Sequence, residues 1–384
     1  MSRVQRVRFL LFLFSLFVSG LVTACAASRL PPPGDGEFGA PGKPTWDLKY
    51  VPKPKQAVSP VADLSSDDGK AVESGCPSDR ATPSLMNMAD GARLPACLWS
   101  AEKTAQMSVS TGPLIIAFHG FNDYGFGFDI PATRWAQFGI ATLAVDQRGF
   151  GAAPFAGYWP GGQALAEDAC TVVRLARDRY PNRSIFVLGE SMGAAVAIHS
   201  LANDEECQSS VDGAILVAPA AWGKGQLNIF YRAALWFSST FMPNLKLTGE
   251  SLERWPTDNR DVMIQRAYDP LVIYQTRVSS VNGIVSLMTE AQENAGRLSL
   301  PLLVVFGGND QIIPAHSVAA LRDNLNVHDY AYLPEAYHML FRDRAGHIAS
   351  DEVARWVLSQ PRPAVSFSEE SEHTASVVVD DKDP

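Results

Sequence analysis

The stretch "FVLGESMGAAVA", residues 186–197, constrains this chain more than any other. An apolar run stops at Gly189-Glu190-Ser191-Met192-Gly193 and resumes as a run of small residues. The first half has the composition of a strand buried on both faces, the second that of a tightly packed helix. Two glycines around one serine let strand and helix approach closely, with the serine at a sharp turn between them. That placement exposes the Ser191 hydroxyl at the carboxyl end of a sheet, beside a helix N-terminus that stabilises negative charge. The bland reading is a corner where small residues pack.

The surrounding pattern decides between these readings. "PLIIAFHG", "GIATLAVDQRG", "SIFVLG", "GAILVAP", "PLLVVFG" and "HDYAYLP" are apolar, strand-like runs. "GQALAEDACTVVRLARDRYP", "MGAAVAIHSLAN", "PAHSVAALRDNL" and "ASDEVARWVLSQ" have helical spacing between and after them. Such alternation predicts an α/β fold with a mostly parallel sheet flanked by helices. "SLMNMADGARLPACLWS" reads as a hairpin turning at Asp90-Gly91. From Ala221 to Leu298 no buried strand is visible, while two helix-like segments carry many aromatic side chains. This interval reads as a helical cap inserted into the core; the alternative is a helical subdomain that completes it.

A serine hydroxyl needs a base, and the base needs an orienting carboxylate. His338 follows the last strand in "YLPEAYHMLF" and is the candidate base. His119 precedes the nucleophile, His199 lies on the helix after it, and His316, His328, His347 and His373 fall at helix or strand starts or in the tail. Asp310 follows the strand in "PLLVVFGGND" and is the candidate orienting acid, with a turn or N-cap role as its structural alternative. The backbone N–H of Met192 and that of Phe121, in the turn "HGFND", are the candidate oxyanion donors. His119 reads as a residue that shapes this turn.

"FHGFND", "DQRGFGAAP", "GESMGAAVA", "GGNDQIIP" and "YHMLF" occur in the order of the α/β-hydrolase superfamily, and the chain resembles its monoacylglycerol lipase and lysophospholipase branch. Ala153 departs from the serine common at that place. The resemblance covers about Met86 to Leu358 and implies a Ser191-Asp310-His338 triad, a helical cap, and neither metal nor organic cofactor. It implies hydrolysis of carboxylic esters, of lipid-like substrates such as monoacylglycerols or lysophospholipids. An amidase, aminopeptidase or acyltransferase on the same triad stays open, as does a surface lipoprotein that binds a partner.

The chain has 384 residues and a net charge of −9, without a basic stripe, which argues against nucleic acid as a partner. Residues 1–24 read as a signal peptide: Arg3, Arg6 and Arg8, then the apolar "FLLFLFSLFVSGLV". "LVTAC" is similar to the lipobox of bacterial lipoproteins, with Cys25 as the lipidated residue; ordinary cleavage nearby is the alternative. The expected location is therefore outside the cytoplasm, anchored through lipid, at the outer membrane or periplasmic face. Residues 25–80 read as a flexible tether, 81–220 and 299–360 as the two parts of the core, 221–298 as the cap, and 361–384 as an acidic disordered tail. Four cysteines remain, and short loops favour Cys76–Cys97 and Cys170–Cys207, against the alternative of four free thiols. The oligomeric state is not legible.

Overall fold

A computed structural model describes residues 38–48, 76, 79–104, 112–222, 229–248, 254–325 and 329–361. The signal peptide, Cys25, most of the tether and the tail beyond Pro361 lie outside the described residues.

A nine-stranded sheet forms the centre, in the order β1-β2-β3-β5-β4-β6-β7-β10-β11. β1 (Thr45–Asp47), β2 (Ala81–Asn87) and β3 (Arg93–Trp99) run antiparallel, with the hairpin between β2 and β3 turning around Asp90 and Gly91. The remaining strands are mutually parallel: β4 (Leu114–Phe118), β5 (Ala141–Val145), β6 (Ile185–Glu190), β7 (Gly213–Val217), β10 (Leu302–Gly307) and β11 (Asp329–Leu333).

Alternation along β4 shows why the central parallel strands are apolar, whereas the edge strand β11 is partly exposed. Leu114, Ile116 and Phe118 enter one core, while Ile115 and Ala117 enter the other. A strand covered on both faces has no solvent side on which to place polar residues. The first core packs α2 (Gly162–Arg179), α3 (Met192–Asn203) and α7 (Val278–Asn294) on the sheet. The second packs α1 (Asp129–Gln137) and α9 (Gly346–Ser359), with Trp135 edge-on to Phe341. α4 (Glu205–Ser209) follows α3, and α8 (Ala315–Asn324) lies between β10 and β11. Fully burying a large apolar side chain contributes roughly 1.5–3 kcal/mol.

Two sequence readings need correction. Residues 38–48 fall in the stretch read as tether, yet they are ordered on the core. β1 pairs with β2 and covers the sheet edge, and Trp46 packs edge-on against Tyr180 with the Arg179 guanidinium over its ring. A strand this short has no periodicity to detect, and its partner supplies the reason for its shape. The interval read as helical also contains strands. Between α5 (Ile229–Phe241), α6 (Arg260–Ala267) and α7 it holds the antiparallel pair β8 (Lys246–Thr248) and β9 (Gln275–Arg277). β8 is exposed and has no apolar pattern.

Disulfides join Cys76 to Cys97 on β3 and Cys170 on α2 to Cys207 on α4. The alternative of four free thiols is therefore not the arrangement present.

Candidate active site

β6 ends at Glu190, and α3 begins at Met192. Ser191 between them has φ 55° and ψ −113°, a strained conformation for a residue with a side chain. The flanking glycines make it possible. A Cβ on Gly193 would lie 1.9 Å from the Phe118 carbonyl oxygen, and one on Gly189 would lie 2.3 Å from Gly193. The turn is fixed from the next strand as well, since the Ser191 N–H donates to the Val217 carbonyl at 2.9 Å.

His338 and Asp310 converge on this serine from the loops that follow β11 and β10. The His338 Nδ1–H donates to Asp310 Oδ2 at 2.8 Å, and His338 Nε2 lies 3.0 Å from Ser191 Oγ. With Nδ1 committed to the carboxylate, Nε2 is the acceptor for the serine hydroxyl. The Asp310 side chain is fully buried. Its other oxygen accepts the backbone N–H groups of Ile312 and Ile313 at 2.8 and 2.9 Å. The three residues singled out in the sequence thus form one hydrogen-bonded line.

Met192 opens α3, and Phe121 sits in the turn after β4 that brings Gly120 against Ser191. His119 is buried and locks this turn. Its Nδ1–H donates to the Gly120 carbonyl at 2.9 Å, and its Nε2 accepts the Gln147 N–H at 3.0 Å. The Gln147 amide in turn donates to the His119 carbonyl at 2.8 Å. Burial pushes the His119 pKa down to about 4, outweighing its hydrogen bond to Gly120. The ring is therefore neutral at pH 7 and structural in role.

A buried charge cluster behind these loops escaped the sequence reading. Arg342, just beyond His338, ion-pairs with Asp123 and reaches Glu190 Oε2 at 3.3 Å. Arg266 on α6 lies 2.7 Å from the same Asp123 oxygen. Burial alone would raise the Asp123 pKa, but the charges of Arg342 and Arg266 outweigh it and hold the carboxyl well below its usual range. Burial raises that of Glu190, against the opposing pull of Arg342. Three loops meet here: the turn after β4 through Asp123, the Ser191 turn through Glu190 and the His338 loop through Arg342. The available signal was charge embedded in apolar motifs, as in "FHGFND" and "GES".

The inserted interval touches the site on two sides. The Met339 N–H donates to the Pro256 carbonyl at 2.7 Å, and Thr257 Oγ1 donates to Asp343 Oδ1 at 2.6 Å. On the other side the Ile273 N–H donates to the Asn122 carbonyl at 3.1 Å.

Residues 110–345 match the family model described as "Serine aminopeptidase, S33". The chain is 25% identical over 267 residues to a monoacylglycerol lipase of Mycolicibacterium smegmatis, covering 64% of this chain and 88% of that protein. Among solved structures, the monoacylglycerol lipase of Paleococcus ferrophilus superposes with a TM-score of 0.54 at 20% identity, over 65% of this chain and 96% of that one. A soluble variant of the Saccharomyces cerevisiae monoglyceride lipase, bound to a substrate analogue, gives 0.59 at 14% identity, over 80% and 98% of the two chains. At such identities these two structures speak for the fold. With the parallel sheet, the strained serine between its glycines and the matched span on the page, the chain belongs to the S33 serine aminopeptidase family of α/β-hydrolases.

Proposed function

We propose that the protein is a serine hydrolase that cleaves carboxylic esters of apolar acyl chains, such as monoacylglycerols or lysophospholipids. The observation that carries this reading is the hydrogen-bonded line from Ser191 through His338 to buried Asp310. In the first stage the Ser191 hydroxyl attacks the ester carbonyl while its proton passes to His338 Nε2. The oxygen of the tetrahedral intermediate takes up negative charge against the N–H groups of Met192 and Phe121. Each such donor is worth roughly 10²–10³ in rate. Asp310 holds the imidazole in the required tautomer and stabilises its positive charge. The imidazolium gives its proton to the leaving alcohol, and an acyl-enzyme remains. Water, deprotonated by the same histidine, then releases the acid and restores the serine.

The apolar substrate is supported by the surface of the inserted interval. Phe230 is 79% exposed, Trp236 63% and Tyr268 82%, with Phe237, Trp255 and Tyr274 also exposed. Aromatic rings in such number on one segment suit contact with lipid. A lipid anchor at Cys25 on an exported chain would hold this surface beside its substrates. The two disulfides fit an oxidising compartment outside the cytoplasm.

The family description raises peptide N-termini as an alternative, since binding an ammonium group calls for a carboxylate beside the nucleophile. Buried Glu190 and Asp123 already pair with arginines, and buried Asp310 with His338. That favours the ester reading. A panel of monoacylglycerols, lysophospholipids and short p-nitrophenyl esters, run beside aminoacyl p-nitroanilides, separates the two. Ester turnover that is lost in Ser191→Ala supports the proposal. Turnover of the anilides alone would overturn it, and ester products on added alcohols would mark an acyltransferase.

A further inference from the structure

The turn expected to supply the second oxyanion donor is gripped by the inserted interval at every position after Phe121. Asn122, at φ 63°, donates from its side-chain amide to Thr276 Oγ1 at 2.6 Å, and its carbonyl receives the Ile273 N–H at 3.1 Å. Asp123 Oδ2 forms an ion pair with Arg266 Nη1 at 2.7 Å. Tyr124 donates its hydroxyl to Asp269 Oδ2 at 2.7 Å. Within the turn itself the Asp123 N–H donates to the Gly120 carbonyl at 3.2 Å, so a displacement of Asp123 is passed directly to Phe121.

Among these contacts the Arg266 pair carries the most leverage. Asp123 is almost completely buried, and its carboxylate is shared between Arg342 on the core and Arg266 on the insertion. Arg342 sets Asp123 against the base loop, and Arg266 pulls it toward α6. The balance of the two fixes where the carboxylate sits. Loss of Arg266 leaves Asp123 neutralised by Arg342, so the fold survives while Asp123 loses one of its two cationic partners. A cavity of about 270 Å³, lined by Asp123, Tyr124, Gln265, Arg266, Asp269 and Arg342, gives this contact room to relax.

We propose that Arg266 is a positioning residue: acting through Asp123, it sets the oxyanion turn that carries the Phe121 N–H, so that the seating of the insertion on the core governs kcat. An oxyanion donor acts only when aimed at the place where charge develops, and a misplacement of about 1 Å costs on the order of 10²-fold. The inference rests on the reading of Ser191 as nucleophile and Phe121 as donor.

The test compares Arg266→Gln and Arg266→Lys with wild type, with Arg260→Gln at the exposed start of the same helix as control. Active sites are counted by titration with a fluorophosphonate, and kcat per titrated site and KM are measured with p-nitrophenyl butyrate. Affinity for a trifluoromethyl ketone, which forms an oxyanion on the enzyme, is measured beside them. In Arg266→Gln, kcat per site falls by roughly 10- to 100-fold while KM stays within about two-fold. The ketone loses affinity by the same factor as kcat/KM, Arg266→Lys recovers part of the loss, and Arg260→Gln matches wild type. A purely structural role would lower the number of titrated sites and leave kcat per site intact. That result, or a rise in KM at constant kcat, overturns the inference. If Arg266→Gln does not fold, Thr276→Val decides the matter in the same way, since it removes the grip on Asn122 without changing charge. A wild-type protein that neither labels nor turns over esters overturns the hydrolase reading instead.

Discussion

Arg342 and Glu190 lie 3.3 Å apart beside Ser191, so the loop that carries His338 and the turn that carries Ser191 share one buried ion pair. Asp123 brings the turn after β4, which carries Phe121, into the same cluster. The spacing between serine and imidazole is therefore set by charge beneath the site as well as by the sheet. Arg342→Met would leave buried Glu190 without a cationic partner and Asp123 with Arg266 alone, an expected loss of about 3–5 kcal/mol in unfolding free energy. Urea denaturation measures it, and a loss below about 1 kcal/mol would show that the cluster carries little of the stability.

His119 makes stability depend on pH with a definite sign. Burial lowers its pKa to about 4 from an ordinary 6.5. Between those values the unfolded chain takes up a proton that the folded chain refuses, so stability rises with pH. The contribution is complete above about 6.5 and is lost as pH falls toward 4, amounting to at most roughly 3 kcal/mol. Glu190 and Asp343, raised by burial, act with the opposite sign: they favour the folded state below the ordinary carboxylate value and lose that as pH rises. Comparing His119→Gln with wild type cancels these terms. The variant is expected to have a flatter stability profile from pH 6.5 down to 4; an unchanged slope would contradict a neutral, buried ring.

Gly193 has no room for a methyl group. A Cβ there would meet the Phe118 carbonyl oxygen at 1.9 Å, so Gly193→Ala is expected to abolish either folding or activity. Gly42→Ala, where nothing lies within 4 Å, is the neutral counterpart. Soluble yield and ester turnover of the two variants check the claim, and an active Gly193→Ala would mean that the elbow tolerates a wider turn.

The Cys170–Cys207 bridge ties α2 to α4 across a sequence separation of 37. A loop of that size corresponds to about 3–4 kcal/mol from restriction of the unfolded chain. Thermal melting of the Cys170→Ser/Cys207→Ser double variant should show a clear loss of Tm. An unchanged Tm would place the stabilisation elsewhere.

The parallel sheet and the line of Ser191, His338 and Asp310 were legible because each residue follows a strand-like run, buried throughout before Ser191 and Asp310 and half-exposed at the sheet edge before His338, a signal local in sequence. The cluster of Asp123, Glu190, Arg266 and Arg342 was not. Its partners stand as far apart as 219 residues in the chain, and an isolated charge in a sequence reads as a solvated one. β1 was hidden for a different reason: Thr45–Asp47 takes its shape from the edge of β2 and sits in a stretch rich in proline and glycine. The same holds for β8 and β9, which are too short to show a period.

The central claim is that Ser191 is a nucleophile activated by His338. Intact-mass measurement after treatment with a fluorophosphonate, followed by peptide mapping, tests it most directly. The account predicts one adduct, on Ser191, absent from Ser191→Ala and formed far more slowly in His338→Ala. A wild-type chain that stays unlabelled, or an adduct that persists in Ser191→Ala, would contradict it.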